Sequence, residues 1–171
     1  MNKYTLDNLE KEAFDSALLL RVKVSRPLRL WTLRVVVADY IEANKIRVLG
    51  EMKAWAYHSP NGFQLDTMRV NPKAPAGVGH LLWGATMAWA LECTPCKKAR
   101  LLAIRDDEYQ HNRLVRYFTR RGFSRLRSLG SDPKDLPLRT IWGGSGTLMN
   151  AECRYVMEKS YQLWQVAKSQ L

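Results

Sequence analysis

The stretch Val70-Asn71-Pro72-Lys73-Ala74-Pro75-Ala76-Gly77-Val78-Gly79-His80 carries the clearest chemistry in the chain. A strand-like run ends at a proline, two glycines stand one residue apart, and an apolar helical pattern begins at once. Glycines at a strand-to-helix turn let backbone approach a ligand closely and leave N–H groups free to point at it. Such a turn suits an anion, most often a phosphate.

Groups able to move protons stand close by. Strand alternation puts Asp66, Met68 and Val70 on one face and Leu65, Thr67 and Arg69 on the other. A carboxylate beside a methionine and a valine has its charged form disfavoured, which predicts a raised pKa and the makings of a base. Glu51, on the preceding strand, is a second candidate base; an acid there is otherwise simply solvated. His58 and His80 complete the set. His80 falls in a first helical turn, where the helix dipole disfavours imidazolium.

Farther along, Arg113, Arg116, Tyr117 and Arg120 share one helical stripe, and Leu114, Val115 and Phe118 share the apolar one. Positive neighbours lower a tyrosine's pKa, which suits Tyr117 to donate a proton. The basic stripe continues through Arg121, Arg125 and Arg127, so six arginines lie between positions 113 and 127. They suit a phosphate or a nucleic-acid backbone, or they serve only as a solvated face. Trp142-Gly143-Gly144-Ser145-Gly146 lacks a following Lys-Ser/Thr and reads as a turn. Cys93-Thr94-Pro95-Cys96 has no second ligand pair for a metal and follows a helix instead of opening one, so it reads as plain thiols.

The elements that must position these groups are clearest in the middle of the chain. Met52 to Tyr57 and Phe63 to Val70 read as strands joined by Ser59-Pro60-Asn61-Gly62, a tight hairpin turn. Leu81, Ala85, Ala88 and Leu91 repeat at helical spacing after Gly79, and Ala99 to Ile104 is a short buried-strand run. Asp107 with Gln110 makes a capping box for a helix that stops at Gly122. A last helix is expected over about 152–168. Before residue 45 the pattern suggests helices, at Asp7 to Leu20 and Leu28 to Ala43, although Val35-Val36-Val37 also suits a strand.

The 171 residues are expected to form one domain. With 46% hydrophobic and 25% charged residues the composition is that of a soluble globular protein, and no apolar run is long enough for a membrane span. The first ten residues carry acids and no apolar stretch, unlike a secretory signal. Three cysteines make no disulfide framework and suit a reducing cytoplasm. The 27 basic and 16 acidic residues leave a net charge of +11, which favours polyanionic partners.

Residues 50 to 125 resemble the GNAT superfamily of acyl-CoA-dependent N-acyltransferases, with a texture similar to small members from cyanobacteria and chloroplasts. The matching residues are Val70, Pro72, Gly77, Gly79, Leu82, the strand Leu101 to Ile104, and Gly122-Phe123. Three places depart from the family pattern. Pro75 stands where an Arg or Gln is usual, Gly77 follows Pro72 by five residues where six is usual, and Phe118 and His111 occupy the tyrosine and asparagine positions. Tyr117 and Asn112 lie one residue, or 100° of helical rotation, to either side.

The resemblance implies a mixed α/β GNAT fold: one central, mostly antiparallel sheet flanked by helices. It implies acetyl-CoA as co-substrate, no metal, and direct attack of an amine on the thioester in a ternary complex. Cofactor contacts are then expected at Met68, Arg69, Val70, Ala76, Gly77, Val78, Gly79, His80, His111, Asn112 and Phe118. The expected base is Asp66 or Glu51, and the expected acid is Tyr117. A binding or regulatory module with weakened catalysis stays open, as does a basic protein that contacts RNA or DNA through Arg113, Arg116 and Arg120. Sheet edges also offer a route to a homodimer.

Overall fold

The computed structural model describes residues 2–171. Its elements run α1 (Leu6–Asp15), β1 (Leu19–Ser25), β2 (Trp31–Glu42), β3 (Lys45–Ala56), β4 (Phe63–Val70), α2 (Val78–Cys93), β5 (Lys98–Ile104), α3 (Glu108–Arg121), β6 (Ser124–Leu129), α4 (Leu136–Trp142), β7 (Gly146–Glu152) and α5 (Cys153–Lys168). Among the described residues no helix is long and apolar enough to cross a membrane.

The seven strands form one sheet in the order β1-β2-β3-β4-β5-β7-β6. Every neighbouring pair is antiparallel except β4 and β5. Inward side chains at every second position, such as Leu33, Val35 and Val37 of β2 or Ala99, Leu101 and Ala103 of β5, are almost fully buried. Helix α2 is apolar nearly all round and lies at the centre of the covered face. Trp83 and Trp164 are buried within this core, each contributing about 2–3 kcal/mol of apolar burial. Short α4 instead stands over the outer face, where Ile141 and Trp142 border Trp55 and Leu148.

The N-terminal reading needs correction. Helix α1 ends at Asp15, and Ala17 takes a positive φ of 60° before the chain turns into β1. The segment expected as a second helix is a single 3₁₀ turn, Pro27–Arg29, followed by twelve residues of strand. Leu28 and Arg29 both have positive φ, which breaks any helix there. Beyond them the β-branched valines alternate inward with the period of a strand. Strands β6 and β7 and helix α4 were also not anticipated. All six β6 positions except Leu129 are exposed, so no apolar pattern announces the strand; its backbone pairing with β7 does.

Candidate functional site

Strand β4 is the centre of the site. It pairs with β3 along its whole length, from Ala56↔Phe63 to Gly50↔Val70. On its other side it meets β5 at only two rungs, Phe63↔Ala99 and Gln64↔Arg100. Beyond Gln64 the strands part, and β5 stays with β7 through seven rungs. The β4 backbone from Leu65 to Val70 thus presents N–H and C=O groups toward β5 without a strand partner, in the middle of a sheet. A narrow cleft of about 60 Å³ occupies the wedge, with Leu65, Met68 and Leu101 on its walls and Trp83 and Phe118 on its helix side.

A β-bulge sits at the point of divergence. Lys53 pairs with Thr67 but Ala54 pairs with Leu65, so Asp66 is the extra residue. The bulge overturns the simple alternation expected for this strand. Leu65 and Met68 now lie opposite Ala54 and Met52 on the same inward face, and Asp66 is exposed rather than desolvated. Asp66 borders both the cleft and a depression on the outer sheet face, beside Trp55 and Lys53.

The loop after β4 ends in an uncapped helix. Gly77 is the N-cap of α2 with φ 100°, and it has no side chain to accept a first-turn N–H. A Cβ on Gly77 would come within 2.8 Å of the Trp164 ring, so this glycine permits close packing against α5 as well as the positive φ. The N–H groups of Ala76, Gly77, Gly79 and His80 have no acceptor among the described residues. Val78 does not join them. Its N–H points at the Pro75 carbonyl (3.4 Å) and its side chain is fully buried.

Arg121 supplies the cation that the loop sequence lacks. Its guanidinium donates from Nη1 to His80 Nδ1 at 2.9 Å, lies 5.9 Å from the Trp83 ring and 5.4 Å from the Tyr117 ring, and flanks Gly79. Arg121 is buried, which separates it from the exposed basic stripe in which the sequence reading placed it. The signal was present: it stands three residues after Phe118, on the inward side of α3. His80 is pushed down to about 4, first by burial and then by the Arg121 charge. The direction is the one expected, with burial and the Arg121 charge as its causes.

Tyr117 and Phe118 both reach the cleft region. The Phe118 ring lines it. The Tyr117 hydroxyl oxygen accepts from Trp83 Nε1 (2.9 Å), and its own proton points to Met68 Sδ at 3.9 Å. A 100° rotation on the helix therefore does not remove Tyr117 from the site, because the phenol is long enough to return to it.

Other expected residues lie elsewhere. Glu51 accepts two hydrogen bonds from Arg34 (2.8 and 3.3 Å) and has Lys53 at 3.6 Å, and the Arg34 hydrogen bonds hold its carboxyl below the usual range. That makes it a poor base. His111 is buried, with Nδ1 donating to the Ile104 carbonyl (3.2 Å) and Nε2 accepting from Thr147 (3.1 Å). It joins α3 to β5 and β7 and offers nothing to a ligand. Asn112 is exposed, and its carbonyl accepts from Arg116. Arg69 and Val70 are exposed at the end of β4. Leu114 is partly exposed and shares the basic face instead of the buried one.

Arg113, Arg116 and Arg120 line one trough on α3 with Tyr109 and Tyr117, and none has a carboxylate partner among the described residues. Arg127 belongs to β6 and is bound by Asp135. Cys93 is exposed while Cys96 and Cys153 are buried, and all three are free thiols. Burial first, then Cys96 and Glu152, pushes the Cys153 thiol up to about 12. Among the described residues no group of three or more His, Cys, Asp or Glu is placed to hold a metal.

No protein-family model matches the chain, and no curated protein matches it in sequence. Among solved structures the chain is similar to nourseothricin acetyltransferase at a TM-score of 0.51 and 12% identity. The match covers 82% of this chain and 93% of that one. At this identity the likeness concerns the fold, and the chain has a GNAT-like fold.

Proposed function

We propose that the protein is an N-acyltransferase that uses acetyl-CoA and passes the acetyl group to an amine. The observation that carries this reading is the unpaired β4 edge, Leu65 to Val70, which runs from a cleft to the uncapped N-terminus of α2. An extended amide-bearing chain pairs with such an edge as an added strand would, and a diphosphate suits four N–H groups without acceptors among the described residues, beside a buried arginine. Acetyl-CoA has both parts, and it supplies an acetyl group activated as a thioester.

In this reading Ala76, Gly77, Gly79 and His80 hold the diphosphate through backbone N–H groups, with the Arg121 charge beside them. Met68 to Val70 align the pantetheine arm, and Arg116 and Arg120 face the phosphorylated nucleotide end. Asp66, at the bulge, accepts a proton from the incoming ammonium. The amine nitrogen forms the amide C–N bond as the C–S bond breaks, and Tyr117 passes a proton to the departing thiolate. Met68 and Trp83 orient that hydroxyl. The free thiols accord with a cytoplasmic setting.

Calorimetric titration with acetyl-CoA and with CoA tests the reading. Micromolar binding supports it, and no heat at millimolar ligand sinks it. A second reading, contact with RNA or DNA through the α3 trough, is favoured by the three arginines without acid partners. It requires binding that weakens steeply with salt and is lost when Arg113, Arg116 and Arg120 are all replaced by Gln.

A further inference from the structure

The outer face of the sheet carries a pocket of about 450 Å³ at the rung where β4 and β5 part. Gln64 and Arg100, the last paired residues, form its floor. Trp55, Tyr57, Trp142 and Ile141 form its walls. Their inward neighbours on the same two strands, Leu65 and Leu101, line the cleft. The pocket therefore opens against the closed end of the cleft, on the side away from α2.

Its chemistry is selective. Three aromatic rings give an apolar slot for a planar group. Arg100 is half-buried and has no carboxylate partner among the described residues, whereas Arg127, the other arginine on the wall, is bound by Asp135. Among the described residues no acid lines the pocket. The adjoining depression adds Lys23, Arg34 and Lys53, against which Glu51 is already spent. Asp66 is the one remaining carboxylate at that margin. Such a face repels a polycation. It attracts a molecule with a flat apolar body and a carboxylate for the Arg100 fork.

We infer that this pocket is the acceptor subsite and takes an amine that also bears an aromatic group and a carboxylate, in the manner of an aromatic amino acid. The ring lies between Trp55 and Trp142, the carboxylate on Arg100, and the amino group turns toward Asp66. The assignment as acceptor subsite rests on the acetyl-CoA reading; the ligand preference of the pocket does not.

Calorimetry in the absence of any CoA compares three probes on the wild-type chain: L-tryptophan, indole-3-propionate and tryptamine. The two carboxylates are expected to bind at about 1 mM or tighter and tryptamine roughly 10-fold more weakly, the scale of one charge-assisted hydrogen bond. Arg100→Gln is expected to erase that difference, and Trp142→Ala, on the short outer helix, to weaken all three probes. Tryptamine binding as tightly as indole-3-propionate overturns the inference, as does silence from both carboxylates at about 10 mM. The wild-type comparison holds whether or not a variant folds. Acetyl-CoA binding with a silent pocket defeats the acceptor class alone. A responsive pocket without acetyl-CoA binding defeats the transferase reading alone.

Discussion

The Arg121 guanidinium donates to Nδ1 of His80 across 2.9 Å, tying the last turn of α3 to the first turn of α2. A buried cation and a half-buried imidazole can share this space only if the ring stays neutral, since a protonated ring would face the guanidinium with like charge and no acceptor. The contact thereby fixes His80 Nε2 as the proton-bearing nitrogen, and it holds a positive charge beside the four free N–H groups of the loop.

Stability should follow this pair in acid. His80 sits near 4 in the folded chain and near its ordinary value when unfolded, so the unfolded chain binds the extra proton between about pH 6.5 and 4. The stability that neutral His80 contributes is complete above that window and falls as pH drops through it. The loss should be about 1–2 kcal/mol once the ring's partial exposure is allowed for. His80→Gln should flatten this part of a urea-midpoint profile between pH 7 and 4. An unchanged slope would assign the effect elsewhere.

Gly77→Ala should damage both the fold and the loop. The added methyl meets the Trp164 ring at 2.8 Å, at a φ of 100° that alanine resists. A loss of about 2–4 kcal/mol is expected, readable as a lowered thermal midpoint. Gly79→Ala, where a Cβ makes only ordinary contacts with Met68 and Arg121, should cost much less stability yet weaken acetyl-CoA binding by crowding the cradle.

Glu12 is the clamp between α1 and α5. Burial alone would raise its pKa, but hydrogen bonds from Lys168 (2.9 Å), Tyr161 (2.7 Å) and Gln165 (2.6 Å) hold it below the usual range, and Trp164 Nε1 donates as well (3.0 Å). Glu12→Ala strands these donors and should cost about 2–4 kcal/mol in a denaturant titration at pH 7. The folded pKa is depressed, so the wild-type advantage should shrink as pH falls through the carboxylate range.

Tyr117→Phe should leave acetyl-CoA affinity within about twofold while reducing kcat about 10- to 100-fold if the phenol protonates the thiolate. Trp83 Nε1 loses its acceptor in this variant, so its indole fluorescence should also shift. Asp66→Asn should likewise act on kcat, with the loss relieved at higher pH as more amine arrives unprotonated. Unchanged rates would clear each residue.

Much of the site's frame could be read before any coordinates. The hairpin turn, α2, β5, the Asp107 cap and the αL stop at Gly122 are written in local patterns, because each depends on contacts within a few residues. Chemistry carried by pairs distant in sequence was less legible. Nothing adjacent to Glu51 announces Arg34, and nothing around His111 announces Thr147, so an expected base proved to be an ion pair and an expected ligand contact proved to be a buried brace. The expected burial of Asp66 failed for a different reason. Alternation assumes an unbroken ladder, and a one-residue bulge reverses the facing of everything beyond it.

The sequence by itself determined that a strand ends in a glycine turn and opens an apolar helix. Backbone conformation there depends on Gly77 and its immediate neighbours. The tertiary structure alone decided what that turn faces. Arg121 reaches it from 41 positions away from His80, Tyr117 returns to Met68 over 49, and the β4 edge lies open because β5 diverges from it after the Gln64↔Arg100 rung. Such relations are set by how sheet and helices pack, and no periodicity within a single segment encodes them.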